Sequence, residues 1–177
     1  LPSSWDRWRT VFEDAGYTVC SFDTRSTKLA LYNLDDKGEP YGSFAALAVD
    51  LAAKGKTLLF AMNAGMYDQG LKPVGLYVED GRVVKRLNRR NGPGNFHMKP
   101  NGVFYIDPTG PHVVTTEEYL RNPPEHPRIA TQSGAMLLIP TSAEPQIHPR
   151  FTRDSSSTHV RNGVGVRGNV VVFAISN

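Results

Sequence analysis

His159-Val160-Arg161-Asn162-Gly163-Val164-Gly165-Val166-Arg167-Gly168-Asn169-Val170-Val171-Val172-Phe173-Ala174-Ile175 contains two β-branched runs around a Gly-Asn turn. Such runs suit a pleated, half-buried surface, and a tight turn between them reads as an antiparallel hairpin. The same grammar appears at Val74-Gly75-Leu76-Tyr77-Val78, then the turn Glu79-Asp80-Gly81, then Arg82-Val83-Val84-Lys85-Arg86-Leu87. Two hairpins of this kind predict a mainly antiparallel sheet.

The rest of the chain fits that frame. Residues 17–23 alternate and predict a strand, with residues 28–33 as its partner. Ser43 offers an N-cap for a helix near 43–54, whose Phe44, Leu47, Ala48 and Leu51 fall on one face. Gly55 suits its C-terminal end. The apolar run 57–62 predicts a buried strand, and further strands are predicted at 102–106, 112–115, 128–132 and 135–139. Trp5, Trp8 and Phe12 have helical spacing in a segment short enough to be an ordered tail instead. Residues 88–100 and 140–158 read as loops, the latter including Ser155-Ser156-Ser157-Thr158. The fold class is α+β: a single domain, mainly antiparallel β-sheet with few helices, spanning 1–177.

Composition narrows the function classes. The sequence has 177 residues, 40% hydrophobic and 21% charged, with sixteen Gly and thirteen Pro. That is a core-forming, turn-rich domain. A net charge of +3 is too mild for a nucleic-acid signature. The basic cluster at Lys85, Arg86, Arg89 and Arg90 reads as a solvated face or as a rim that meets anions. Cys20 is the single cysteine, which rules out a disulfide within the chain, and its apolar run predicts a buried thiol. No apolar run approaches membrane-spanning length. The five His residues form no His-Glu-x-x-His pattern and there is no Cys pair, so no zinc site is expected. Calcium or magnesium leaves less trace in a sequence. P-loop and Gly-x-Gly-x-x-Gly patterns are missing, and no cofactor is expected.

Four segments place polar residues and glycines where strands end, which is where a scaffold presents chemistry. Asn63-Ala64-Gly65-Met66-Tyr67-Asp68 follows the run 57–62. Asn63 brings a donor and an acceptor, and Gly65 permits close backbone approach. A simple Asx turn would look the same. In Gly94-Asn95-Phe96-His97-Met98-Lys99-Pro100-Asn101, period-two alternation sets His97 and Lys99 on one side. An exposed loop with a lone His is the plainer alternative. Thr131-Gln132-Ser133-Gly134 is a polar stretch between apolar runs. Ser133 lacks the Gly-x-Ser-x-Gly context of a serine hydrolase. Arg161 stands beside Gly163 and Gly165 in an apolar setting and needs an anionic partner, either a structural carboxylate or a substrate.

These segments together resemble the phosphodiester glycosidase family, whose bacterial members are the nearest likeness. The stretches that carry it are Tyr41 to Tyr67, with Phe60-Ala61-Met62-Asn63-Ala64-Gly65-Met66-Tyr67 at its centre, and Pro73-Val74-Gly75-Leu76-Tyr77. Gly94-Asn95-Phe96 follows, with Lys99-Pro100-Asn101-Gly102-Val103-Phe104, Thr131-Gln132-Ser133-Gly134 and Arg161-Asn162-Gly163-Val164-Gly165. The resemblance runs from about Tyr17 onward. Family members continue past the last hairpin with a helix and a strand carrying Asp-Gly and then Ser. The resemblance therefore implies a phosphodiester glycosidase domain that lacks its C-terminal segment.

The resemblance also implies a hydrolase that releases a sugar from a glycosyl-1-phosphate diester, in a periplasmic or extracellular setting. The expected partner is a small-molecule or glycan substrate carrying a phosphodiester, with no nucleic acid and no membrane. Oligomeric state is not specified. The phosphate monoester leaving group, with a second ionisation near ~6, departs without strong protonation. The usual pair of glycosidase carboxylates is then less needed on that side. Fixed positive charge and hydrogen-bond donors are needed instead. Asn63, Asp68, His97 and Arg161 are the expected catalytic residues. Gly65, Lys99, Asn101, Gln132, Ser133 and Gly163 are expected to line the substrate. Two alternatives stay open: a non-catalytic carbohydrate- or phosphate-binding module of the same fold, and a phosphodiesterase that cleaves P–O.

Overall fold

A computed structural model describes residues 5–12, 15–151 and 159–176. The tract Ser155-Ser156-Ser157-Thr158 lies outside the described residues. The last hairpin forms as its sequence predicts: β10 (Asn162–Arg167) pairs antiparallel with β11 (Val170–Ser176). β11 then pairs with β2 (Ala15–Asp23), and β2 with β1 (Trp5–Phe12), all antiparallel. The first sheet thus has the order β1-β2-β11-β10. Helical spacing in residues 5–12 loses here to strand pairing along the whole of β2. A short segment takes whichever structure gives its backbone partners.

The second hairpin is β3 (Tyr77–Glu79) with β4 (Arg82–Lys85), turning at Asp80 (φ 46°) and Gly81 (φ 78°). Positive φ at both positions is the two-residue turn that an Asp-Gly pair favours. β5 (Gly102–Asp107), β6 (Gly110–Thr115) and β7 (Ile129–Ser133) complete a second sheet in the order β4-β3-β7-β5-β6, again antiparallel throughout. The predicted strand at 135–139 shrinks to β8 (Leu138–Ile139), paired with β9 (Gln146–Ile147).

Alternation decides the layers. Tyr77, Phe104, Ile106 and Ile129 face one side of the second sheet and meet Val164, Val166, Val171 and Phe173 of the first. Val78, Val103, Tyr105 and Ala130 face the other side, where Tyr119 of helix α2 (Thr116–Arg121) covers them. The second sheet is therefore the middle layer, apolar on both faces. Cys20 is a buried free thiol in the first sheet, and burial pushes its ionisation up.

Helix α1 (Phe44–Ala53) forms where predicted. The Ser43 side chain accepts a hydrogen bond from Ala46 N at 3.1 Å, and Gly55 follows with φ 70°. Two other expectations are corrected. Residues 28–33 and 57–62 belong to no strand and no sheet. Among the described residues, no main-chain hydrogen bond involves any residue from 57 to 65. Sequence alone supplies strand propensity, but a strand also needs a neighbouring edge, and no strand among the described residues pairs with either segment.

Candidate functional site

The polar loops of the expected site meet at the end of the second sheet, and Gln132 holds them together. It is 1% exposed. Its Oε1 accepts from Leu76 N at 3.1 Å and Asn88 N at 2.9 Å. Its Nε2 donates to Asn88 O at 2.8 Å and Thr116 Oγ1 at 3.1 Å. All four hydrogen-bonding positions of the amide are used within the protein. Asn88 extends the knot by donating from Nδ2 to Val74 O at 3.0 Å.

Missing side chains bring the same loops close. A Cβ on Gly75 would lie 2.5 Å from Gln132 Oε1 and 2.7 Å from Phe96 Cζ. One on Gly134 would lie 2.5 Å from Phe96 O. Gly65 would collide with Thr131 Oγ1 and approach Gln132 O at 2.9 Å. Gly65 therefore packs the 63–68 loop directly onto β7. Asn101 is buried and donates from Nδ2 to Phe96 O at 3.0 Å. Ser133 pairs with Gly102 across β7 and β5.

His97 and Lys99 project from this cluster. The short 3-10 turn Asn95–His97 sets the His97 ring edge-on to Phe96, with centroids 5.1 Å apart. His97 Nδ1 lies 2.9 Å from Arg90 O. A carbonyl only accepts, so Nδ1 carries a proton, and in the neutral ring Nε2 is the atom with the lone pair. No described residue bonds Nε2. Lys99 Nζ donates to Arg89 O at 3.3 Å. Beneath them His148, 1% exposed, has Nε2 3.0 Å from Lys99 O, while its Nδ1 accepts from Arg150 N at 3.1 Å. These partners fix the Nε2–H tautomer and pin the 97–101 loop.

The remaining expected residues sit at different stations. Asn63 lines a cleft of about 870 Å³ together with Gly65, Thr131 and Gln132. Asp68 is exposed, and its Oδ1 accepts from Gly70 N at 2.9 Å and Lys72 N at 3.0 Å, closing an Asx turn. Arg161 is exposed just before β10 rather than inside it. Its main-chain N donates to Ser176 Oγ at 2.9 Å and its Nη1 to Val160 O at 3.2 Å. Gly163 faces Leu137, whose Cδ1 would lie 3.3 Å from an added Cβ. His97, Lys99, Asn101, Ser133 and Arg161 do not line the cleft.

At the cleft rim, Tyr41 Oη donates to Asp50 Oδ2 at 2.6 Å, and Lys54 Nζ reaches Asp36 and Asp50 at 2.8 and 2.9 Å. The bond to Asp50 pushes the Tyr41 phenol up to about 12. Bonds from Tyr41 and Lys54 hold the Asp50 carboxyl below its usual range. This clasp keeps its charges at neutral pH and ties α1 to the 33–41 segment. Sequence reading missed Asn88, Thr116 and His148. Their only advance signal was position, since Asn88 opens the polar loop and His148 lies in an irregular tract. Among the described residues no three His, Cys, Asp or Glu side chains gather as metal ligands. No described helix is long and apolar enough to cross a membrane.

Comparison with known proteins agrees with the motif pattern. Residues 56–177 match the phosphodiester glycosidase family. The chain is also 34% identical over 157 residues to the Escherichia coli (strain K12) protein YigE, itself described as uncharacterized. That match covers 88% of this chain and 58% of the relative's length.

Proposed function

We infer, from a chain that belongs to the phosphodiester glycosidase family, that its protein hydrolyses a glycosyl-1-phosphate diester and releases the sugar. The observation that carries this reading is His97, whose Nδ1–H is spent on Arg90 O while Nε2 keeps a lone pair. That is the arrangement a general base needs. In the proposed reaction a water oxygen bonds to the anomeric carbon as the bond from that carbon to the phosphate oxygen breaks. The bonding pair leaves with the phosphate monoester, and the water proton passes to His97 Nε2.

Lys99, two residues from His97, supplies positive charge for the departing phosphate, and Arg161 and Asn63, which stand apart from it, are the further donors of this reading. Ser133 and Gly163 line the substrate, while Asn101, buried and bonded to Phe96 O, holds the loop that carries His97 and Lys99. Asp68, its Oδ1 anchored by two amides, holds a fixed negative charge for the oxocarbenium-like centre. Gln132 and Gly65 act on substrate through the loops they position. A periplasmic or extracellular setting belongs to this reading, since extracytoplasmic glycans would supply such diesters.

The test is turnover of a glycosyl-1-phosphate diester by the full-length protein in oxygen-18 water. The expected result is a phosphate monoester without label, which marks C–O cleavage. Label in the phosphate would make the protein a phosphodiesterase. Saturable binding without turnover would make it a carbohydrate- or phosphate-binding module.

A further inference from the structure

The basic cluster at Lys85, Arg86, Arg89 and Arg90 has no part in the proposed reaction. Residues 81–106 carry six Lys and Arg and no Asp or Glu, against +3 for the whole chain. The rest of the chain is therefore net negative, and the positive surplus is local. A solvated face ordinarily mixes both signs. All four residues of the cluster are exposed. Among the described residues their single ion pair is Arg89 with Glu117, at 3.9 Å between exposed side chains. A contact of that kind contributes little in water.

The main chain ties the cluster to His97 and Lys99. Arg89 O accepts from Lys99 Nζ at 3.3 Å, and Arg90 O lies 2.9 Å from His97 Nδ1. Arg90 N donates to Asn88 Oδ1 at 3.0 Å, and Asn88 is bound through its own N and O to Gln132. A Cβ on Gly92 would lie 2.9 Å from His97 Cδ2, so the loop closes directly against the ring. Arg89 and Arg90 are thus held next to His97 and Lys99 by their backbone, and their guanidinium groups take no part in the anchoring.

We propose that Arg89 and Arg90 form a second phosphate site beside the reacting one, and that the substrate is a glycan whose aglycone itself carries phosphate, as in a polymer of phosphodiester-linked units. One phosphate departs over Lys99 while the next along the polymer is gripped by the two guanidinium groups, whose paired N–H donors suit its oxygens. Lys85 and Arg86 extend the same positive field along β4. A nucleic acid is a poorer fit to this charge. Residues 82–95 contain no aromatic side chain on which a base could stack, and Phe96 is buried. The inference rests on the proposed reaction for the place of the first phosphate.

The test compares two diesters of one sugar-1-phosphate on the full-length protein, one with a methyl aglycone and one with a glycerol-phosphate aglycone. The parent is expected to show a KM at least ~10-fold lower for the second, the effect of about one charge-assisted hydrogen bond. High salt should shrink the difference. Arg89→Gln with Arg90→Gln should bring the two KM values together, and Arg89→Lys with Arg90→Lys, which keeps the charge, should restore a preference. Both substrates are read on the same variant, so a general loss of fold moves both alike. Equal KM values in the parent, or a preference that survives the Gln pair, would overturn the proposal. Absence of turnover on both diesters would sink the proposed reaction instead, and the second site is then read by anisotropy with fluorescein-labelled oligo(glycerol phosphate). Binding ~10-fold weaker in the Gln pair than in the parent is expected, and equal binding would overturn the site. Tighter binding of oligothymidylate of equal charge would also overturn it, in favour of a nucleic-acid surface.

Discussion

The two ends of the cleft differ in how completely they are built. Around Gln132 all four amide positions find partners within 3.1 Å, and the glycines leave no room for a methyl group. Around Phe60 the sequence is as apolar and as strand-like, yet among the described residues its backbone finds no main-chain partner, and the space is open. Strand propensity does not make a strand, because the hydrogen bonds belong to pairs. Completeness of packing in this molecule therefore follows the availability of partners more closely than hydrophobicity.

The sharpest way to break this contrast is Gln132→Leu. It strands Leu76 N, Asn88 N, Asn88 O and Thr116 Oγ1 at about 1–3 kcal/mol for each group left unsatisfied. With some relaxation, denaturant unfolding should show a loss of about 4 kcal/mol. A loss under about 1 kcal/mol would mean that the loops are not knotted through this amide. Gly75→Ala comes next, because its methyl group must displace Gln132 Oε1 and Phe96. Overpacking of this kind costs about 1–3 kcal/mol, read from the shift of the denaturation midpoint.

Arg161 stands apart from the knot, so its conservative replacement should separate function from stability. On the proposed function, Arg161→Lys would lose paired hydrogen bonding to the substrate phosphate. One charge-assisted hydrogen bond at ~1.5–3 kcal/mol predicts about a 10- to 150-fold fall in kcat/KM of the full-length protein, with little change in Tm. A large fall in Tm with normal turnover would make the residue structural. The two helix caps give a matched pair. Thr115 caps α2 over the second sheet, and Ser43 caps α1, which buries only Leu47 and Leu51 beside the cleft. Thr115→Ala should cost about 1 kcal/mol and Ser43→Ala less. Equal losses would show that α1 is as firmly seated as α2.

The smallest effect is pH dependence at Glu79, which accepts from both Tyr77 and the backbone of Asn33. Burial raises its carboxyl above the ordinary value of 4.5. A raised folded-state value means that stability present at low pH is lost as pH rises through it. Glu79→Gln removes that loss. Its stability relative to the parent should therefore increase between pH 4 and pH 8, by no more than about 1 kcal/mol on a half-exposed group. A flat difference would mean that the carboxyl is not perturbed by its surroundings.

Both hairpins were legible in the sequence because their signals are local. Asp80-Gly81 and Gly168-Asn169 specify turns, and β-branched runs flank the second of them. Ser43 and Gly55 bounded α1 for the same reason. Residues 28–33 and 57–62 misled, since a strand's partner is a non-local fact. The site divided similarly. Residue types at strand ends marked the converging loops, but no local signal shows that Gln132 faces inward. The short helix α2 escaped because six residues carry little periodicity.

The pairing of β2 with β11 bears on how the chain is made. Thr24 bonds to Asn169 across 145 positions, so the central strands of the first sheet come from opposite ends of the sequence. At roughly 5–20 residues per second, β2 leaves the ribosome about 7–30 s before its partner exists. During that interval Val19, Cys20 and Phe22 are covered on neither the β11 edge nor the Phe173 face. The nascent protein therefore meets the chaperone pool with this strand half-dressed, and translation speed through residues 24–169 sets how long that lasts.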